Sequence, residues 1–232
     1  MNNVNVKDLT ENLTVFADKI FVFKNVINIM ESWPKELEDL DSRFKDEQAL
    51  NIKGNPEKQL NYWEPWPAND DPTFFYGRTK RGHFIFNHSD EPSGGDLIAY
   101  DLVENIKRAS EELAEKYFKS LDVKEIPYLP STFEIKEYNT GSDMGPHFDA
   151  CPGEDNQTIL SAVFYINDDY EGGELAFPEH NITIKPEAGC LIFFPSTPDY
   201  IHQSKIVTSG KKYCVPLFFY KNPPVSVSDD KG

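Results

Sequence analysis

Between Asp96 and Ser120, apolar residues recur every three or four positions: Ile98, Leu102, Ile106, Ala109, Leu113 and Tyr117. That spacing puts them on one face of an α-helix. Glu104/Arg108, Glu112/Lys116 and Glu115/Lys119 form i,i+4 pairs around the rest of the helix. Asp96, directly after Gly94-Gly95, is a candidate N-cap. Upstream the pattern is mixed. Ile20 to Phe23 reads as a short strand, and Glu31 to Leu40 as a helix with Pro34 near its start. Asn61 to Pro72 reads as a loop anchored by Trp63 and Trp66 among prolines.

From about Ser131 the pattern changes. Short runs of β-branched and aromatic residues alternate with turn signals such as Asn139-Thr140-Gly141, Gly172-Gly173 and Ser209-Gly210. Eight strands are expected, at 132–139, 145–150, 157–167, 173–177, 181–185, 189–194, 200–206 and 211–221. Evenly spaced strands without helices between them suggest a double-sheet jelly roll. The expected fold is mainly β with supporting helices (α+β): a double-stranded β-helix core packed against N-terminal helices. Residues 1–221 are read as one domain, with 1–130 as a mixed support region and 131–221 as the jelly roll. The polar segment 222–232 is read as a frayed tail.

Composition narrows the function. The 232 residues carry 23 Lys+Arg against 39 Asp+Glu, a formal net charge of −16. Such a surface repels a phosphate backbone, and the best basic cluster, Arg78, Lys80 and Arg81, holds only three charges. Nucleic acid and anionic membranes are therefore not expected partners. No apolar run approaches the roughly 18 residues of a membrane span. The start of the chain has no secretory pattern, so a cytoplasmic location is expected. Three cysteines, Cys151, Cys190 and Cys214, are too few and too widely spaced for a disulfide framework or zinc ribbon, which suits a reducing compartment.

The chemistry-bearing residues concentrate in the strand half. His147-Phe148-Asp149 places an imidazole and a carboxylate two residues apart, on the same side of an extended segment. His202 follows after 202 − 147 = 55 residues, in a later strand that a jelly roll brings into contact. Two imidazoles and one carboxylate on one face of an octahedron suit Fe(II) in oxygenases. Lys212 lies 212 − 202 = 10 residues further on, after the turn-forming Thr208-Ser209-Gly210, and would sit on a neighbouring strand. A buried lysine there would pair with the second carboxylate of a 2-oxo-acid co-substrate. His180 competes as third ligand but lies in a turn, where exposure is expected. His83 and His88 lie outside the strand half.

The stretch from about Phe133 to Tyr220 resembles the prolyl 4-hydroxylase branch of the Fe(II)/2-oxoglutarate-dependent dioxygenases. The resemblance rests on Tyr138-Asn139-Thr140-Gly141-Ser142-Asp143-Met144-Gly145-Pro146-His147-Phe148-Asp149. It continues through Val163-Phe164-Tyr165-Ile166-Asn167, Glu171-Gly172-Gly173-Glu174-Leu175-Ala176-Phe177-Pro178 and Pro186 to Phe194. It ends with His202 and Val207-Thr208-Ser209-Gly210-Lys211-Lys212-Tyr213. It implies that His147, Asp149 and His202 hold iron and that Lys212 binds the far carboxylate of 2-oxoglutarate. Tyr165 matches a tyrosine that hydrogen-bonds that carboxylate, and Tyr138 an active-site tyrosine near the co-substrate. Met144 stands where relatives usually have tyrosine, and Phe218 where many have tryptophan. Asp149 sets the chain apart from halogenating relatives, which carry a small residue there.

The resemblance implies Fe(2+), 2-oxoglutarate and O2 as the reacting set, with ascorbate as accompanying reductant. The expected reaction is hydroxylation of an unactivated C–H bond, with release of succinate and CO2. The substrate implied is a prolyl residue in a peptide or protein. The alternatives are a lysyl residue, a free amino acid or another small molecule, or a non-catalytic jelly-roll binding module. Trp63 and Trp66, with Phe74, Phe75 and Tyr76, would either line an aromatic groove for a proline-containing segment or form a satellite core.

Overall fold

The computed structural model describes residues 12–27, 34, 82–84, 96–122, 127–129, 133–150 and 158–221. The expected loop at 61–72, the residues Trp63, Trp66, Phe74, Phe75 and Tyr76, and the segment 222–232 lie outside the described residues. So does nearly all of the helix expected at 31–40.

Three strands precede the helix: β1 (Leu13–Phe16), β2 (Ile20–Phe23) and β3 (Gly82–Phe84). The helix α1 spans Asp96–Ser120, with the bounds its apolar spacing predicts. Ten strands follow: β4 (Phe133–Asn139), β5 (Met144–His147), β6 (Thr158–Tyr165), β7 (Glu171–Gly172), β8 (Leu175–Phe177), β9 (Ile182–Ile184), β10 (Leu191–Pro195), β11 (His202–Ser204), β12 (Val207–Ser209) and β13 (Lys211–Tyr220). They pair in the order β1-β2-β10-β6-β13-β4-β3 in a seven-stranded sheet and β5-β11-β8-β9 in a four-stranded one. β12 and β7 form a separate ribbon. The fold is mostly β. The expected packing of the core against several N-terminal helices is corrected here, because among the described residues one long helix fills that place. The N-terminal segment contributes strands to the larger sheet instead. No described helix is long and apolar enough to cross a membrane.

The period-two alternation of the central strands divides the interior in two. Phe21, Phe23, Phe164, Leu191, Phe193, Val215, Leu217 and Phe219 pack with Leu102, Ile106, Ala109, Leu113 and Tyr117 of α1 in one cluster. Tyr117 stacks on Phe193 at 5.8 Å, and its hydroxyl donates to the Lys19 carbonyl at 3.0 Å. The residues in between, among them Ile20, Val22, Tyr138, Tyr165, Ile192, Phe194 and Cys214, pack with Leu175, Phe177 and Ile184 of the smaller sheet. The helix thus covers the outer face of the large sheet, and the inner face is left for the site.

The β7–β12 ribbon depends on a glycine. Gly172 has φ +74, and a Cβ there would run into the Ile206 carbonyl oxygen. Gly172→Ala is expected to destabilise the protein by about 2–4 kcal/mol, combining left-handed strain with overpacking. Denaturant unfolding of the two proteins, compared at equal m-value, checks this.

Candidate metal and co-substrate site

The edge of the smaller sheet builds the first half of the site. β5 and β11 are antiparallel, and His147 and His202 are direct partners in their register. Their rings lie 4.3 Å apart, centroid to centroid. Asp149 follows two residues after His147. Its Oδ1 is 3.5 Å from His147 Nε2, and its Oδ2 is 3.5 Å from His202 Nε2. One ligand atom from each of the three residues lies within 4.8 Å of the others.

The tautomers follow from the outer contacts. His147 Nδ1 meets the Gly145 carbonyl at 2.8 Å, and His202 Nδ1 meets the Tyr200 carbonyl at 3.2 Å. A carbonyl accepts only, so each Nδ1 carries a proton and each Nε2 is left facing Asp149. His202 is buried against Phe194 and Phe177, at 4.5 and 6.0 Å. Burial lowers its pKa, Asp149 opposes that change and His147 adds to it, so the imidazole is neutral at pH 7. Two imidazoles and a carboxylate form the donor set that suits Fe(II).

The second half comes from the inner face of the larger sheet. Lys212 on β13 is 2% exposed. Its Nζ donates to the Gly173 carbonyl at 2.8 Å and to Ser204 Oγ at 2.7 Å. It also lies over the rings of Tyr138 and Tyr165, at 4.9 and 5.3 Å. Ser204 is two residues beyond His202 on β11, which ties the lysine to the strand carrying the ligand. Burial lowers the Lys212 pKa, and no described carboxylate lies within ion-pair distance of it. An ammonium has three N–H groups, and two are engaged here.

The surrounding hydroxyls point to a polar occupant. Tyr165 is buried with its ring beneath the Lys212 ammonium, and burial raises its pKa. The hydroxyl of Tyr170 is buried without a partner. Its ring edge and the Lys212 stem converge on Gly173, where a Cβ would lie 3.0 Å from Tyr170 Cε2 and 3.2 Å from Lys212 Cδ. A buried cation with a spare N–H, beside the unpartnered Tyr170 hydroxyl, fits a carboxylate.

The remaining expected residues sort clearly. Tyr138 is buried on the same face, opposite Lys212, and its hydroxyl points to Met144 Sδ at 4.0 Å. Phe218 is half-buried on β13 and pairs with Ser161 in register. His180 stacks on Tyr200 at 4.8 Å with Nε2 bonded to the Asp199 carbonyl, outside the ligand cluster. Ser204 and Tyr170 were not singled out from sequence. Ser204 was accessible through the period-two rule, since it shares the inward side with His202.

A family model described as the 2OG-Fe(II) oxygenase superfamily matches residues 133–220. Residues 133–220 are a 2OG-Fe(II) oxygenase domain by this match. The cofactor set of the oxygenase domain is Fe(II), 2-oxoglutarate and dioxygen.

Over 231 residues the chain is 27% identical to a protein of Acanthamoeba polyphaga mimivirus provisionally named a prolyl 4-hydroxylase, covering 94% of this chain and 81% of that one. Human prolyl 3-hydroxylase 2 is 43% identical over 68 residues, 27% of this chain. The match spans only 10% of that longer protein. Two solved structures share the fold. A viral collagen prolyl hydroxylase from Paramecium bursaria Chlorella virus-1 has a TM-score of 0.55 at 15% identity, over 89% of this chain and 98% of that one. A Trichoplax adhaerens prolyl hydroxylase, solved with a hypoxia inducible factor peptide fragment, has a TM-score of 0.52 at 16% identity, over 88% and 84%.

Proposed function

We propose that the protein hydroxylates a prolyl residue of a peptide or protein, using His147, Asp149 and His202 to hold Fe(II) and Lys212 to anchor 2-oxoglutarate. The observation that carries this reading is the link between the two halves of the site. One short strand presents His202 to the ligand cluster and Ser204 to the buried ammonium. When bound, iron and 2-oxoglutarate supply an oxidative decarboxylation that leaves succinate and CO2 and delivers one oxygen atom to a C–H bond.

The chain's own residues hold, orient and exclude water. The Gly145 and Tyr200 carbonyls fix the two imidazoles. Lys212 offers its third N–H to the far carboxylate, and Tyr165 O–H donates to the same group. Phe177 and Phe194 shield the His202 side from solvent. We read the two facing sheets as a double-stranded β-helix. The prolyl substrate is supported by the names of the relatives. A lysyl residue or a free amino acid would use the same chemistry. A metal-holding module without catalysis has no use for Lys212, whose burial is costly without an anion.

Anaerobic titration of Fe(II) and 2-oxoglutarate into the protein tests the co-substrate reading. A weak visible charge-transfer band is expected, and a folded protein without it would overturn the reading. Succinate release stimulated by proline-containing peptides, and not by lysine-containing ones, tests the substrate. Tyr165→Phe is expected to weaken 2-oxoglutarate binding about ten- to a hundredfold, the loss of one hydrogen bond to a charged group. Iron affinity should not change, and titrating the same band reads both.

A further inference from the structure

Tyr170 carries a hydroxyl that the fold itself does not use. The side chain is 2% exposed. Its hydroxyl is buried and has no hydrogen-bond partner among the described residues. A buried hydroxyl without a partner is unfavourable, and phenylalanine would fill nearly the same space without that cost. Burial pushes the pKa of the phenol up, so it stays protonated and able to donate.

The surrounding chain brings the hydroxyl end of the ring toward Lys212. Gly210 crosses behind the residue, where a Cβ would lie 3.2 Å from Tyr170 Cα and 3.3 Å from Tyr170 Cβ. The far edge of the ring meets Gly173, where a Cβ would lie 3.0 Å from Tyr170 Cε2 and 3.2 Å from Lys212 Cδ. Cε2 is bonded to the carbon that bears the hydroxyl, and a single carbon separates Cδ from Nζ. The two polar tips therefore extend from one small contact around Gly173, whose φ of +65 suits a residue without a side chain. Nζ is held on the Gly173 carbonyl and on Ser204 Oγ, which leaves its third N–H. Tyr170 and Tyr165 belong to the same buried cluster.

An N–H and an O–H, both unused, call for an acceptor, and a carboxylate offers about four lone-pair sites. Resting on the function proposed above, 2-oxoglutarate brings such a group in its far carboxylate. We infer that Tyr170 is a co-substrate-binding residue, its hydroxyl donating to the far carboxylate of 2-oxoglutarate beside the third N–H of Lys212. A carboxylate that leaves water must recover its hydrogen bonds inside the protein. The phenol supplies one without adding charge, and position 170 is a tyrosine for the sake of the liganded state.

The test compares Tyr170→Phe with the parent. Two 2-oxo acids are titrated anaerobically into the Fe(II) protein, each read by the charge-transfer band. 2-Oxoglutarate carries the far carboxylate, whereas 2-oxovalerate has the same chain length and ends in a methyl group. The variant is expected to bind 2-oxoglutarate about ten- to a hundredfold more weakly, the loss of one hydrogen bond to a charged group. Its affinity for 2-oxovalerate should equal the parent's. Without metal or co-substrate, its Tm should match or exceed the parent's, because an unpartnered polar group has been removed. Unchanged 2-oxoglutarate affinity would overturn the inference. Equal weakening of both acids, or a lower Tm of the unliganded variant, would also overturn it, since the hydroxyl would then be supporting the fold. A parent that gives no band with 2-oxoglutarate would overturn the proposed function, and the inference with it.

Discussion

His202→Ala is expected to remain folded, to bind Fe(II) at least 10²-fold more weakly and to lose turnover beyond detection. The variant removes one of three convergent donors, whereas changes to groups that merely orient a ligand already cost 10–100-fold. The side chain lies between two aromatic rings, so the alanine leaves a small cavity costing about 1–3 kcal/mol, below the stability of a typical domain. Circular dichroism should be unchanged, and the charge-transfer band should be absent. A band of normal intensity would show that His202 is not a ligand. Acid should act through the same residue. Burial holds the folded-state pKa of His202 below its ordinary value of about 6.5, so the unfolded chain takes up the proton first. The contribution to stability is present above about pH 6.5 and is lost as the pH falls through the depressed value.

Lys212→Met is expected to have the largest effect on 2-oxoglutarate. It removes the ammonium but keeps the length of the stem. The far carboxylate would enter a buried site without its counter-charge, at a cost of roughly 3–5 kcal/mol, or 10²–10³-fold or more in affinity. Iron binding in the absence of 2-oxoglutarate should be nearly unaffected. The unliganded variant should be no less stable than the parent, because burying the unpaired ammonium is itself unfavourable. Equilibrium titration of 2-oxoglutarate against the band, with thermal unfolding, separates these effects. If affinity barely moves, the anchor is another cation, and Lys211 is the next to test.

Much of the site was legible because its chemistry follows strand periodicity. His147 and Asp149 share a side by the rule of two, and the distance to His202 and Lys212 matches strands a jelly roll makes adjacent. α1 was equally plain from its six apolar positions. Other features depend on tertiary contacts that leave little trace in sequence. β1 is an edge strand with an exposed Val15, so it lacks a clean apolar alternation. β7 and β12 are two and three residues long, held by a close backbone approach at Gly172. The Lys212–Ser204 bond joins two sheets, so no local pattern announces it.

The large sheet lies between two interiors with different duties. The one beneath α1 is almost wholly apolar, and the other holds the lysines, tyrosines and metal-ligand candidates. Neighbouring residues on β13, such as Lys212 and Tyr213, answer to different demands. Substitutions that retune the reaction can accumulate on one side while the other keeps the chain folded. This gives the scaffold room to change substrate over evolutionary time. Native-state hydrogen exchange should carry the same signature, with the slowest amides on β6, β10 and β13, where both interiors share one backbone.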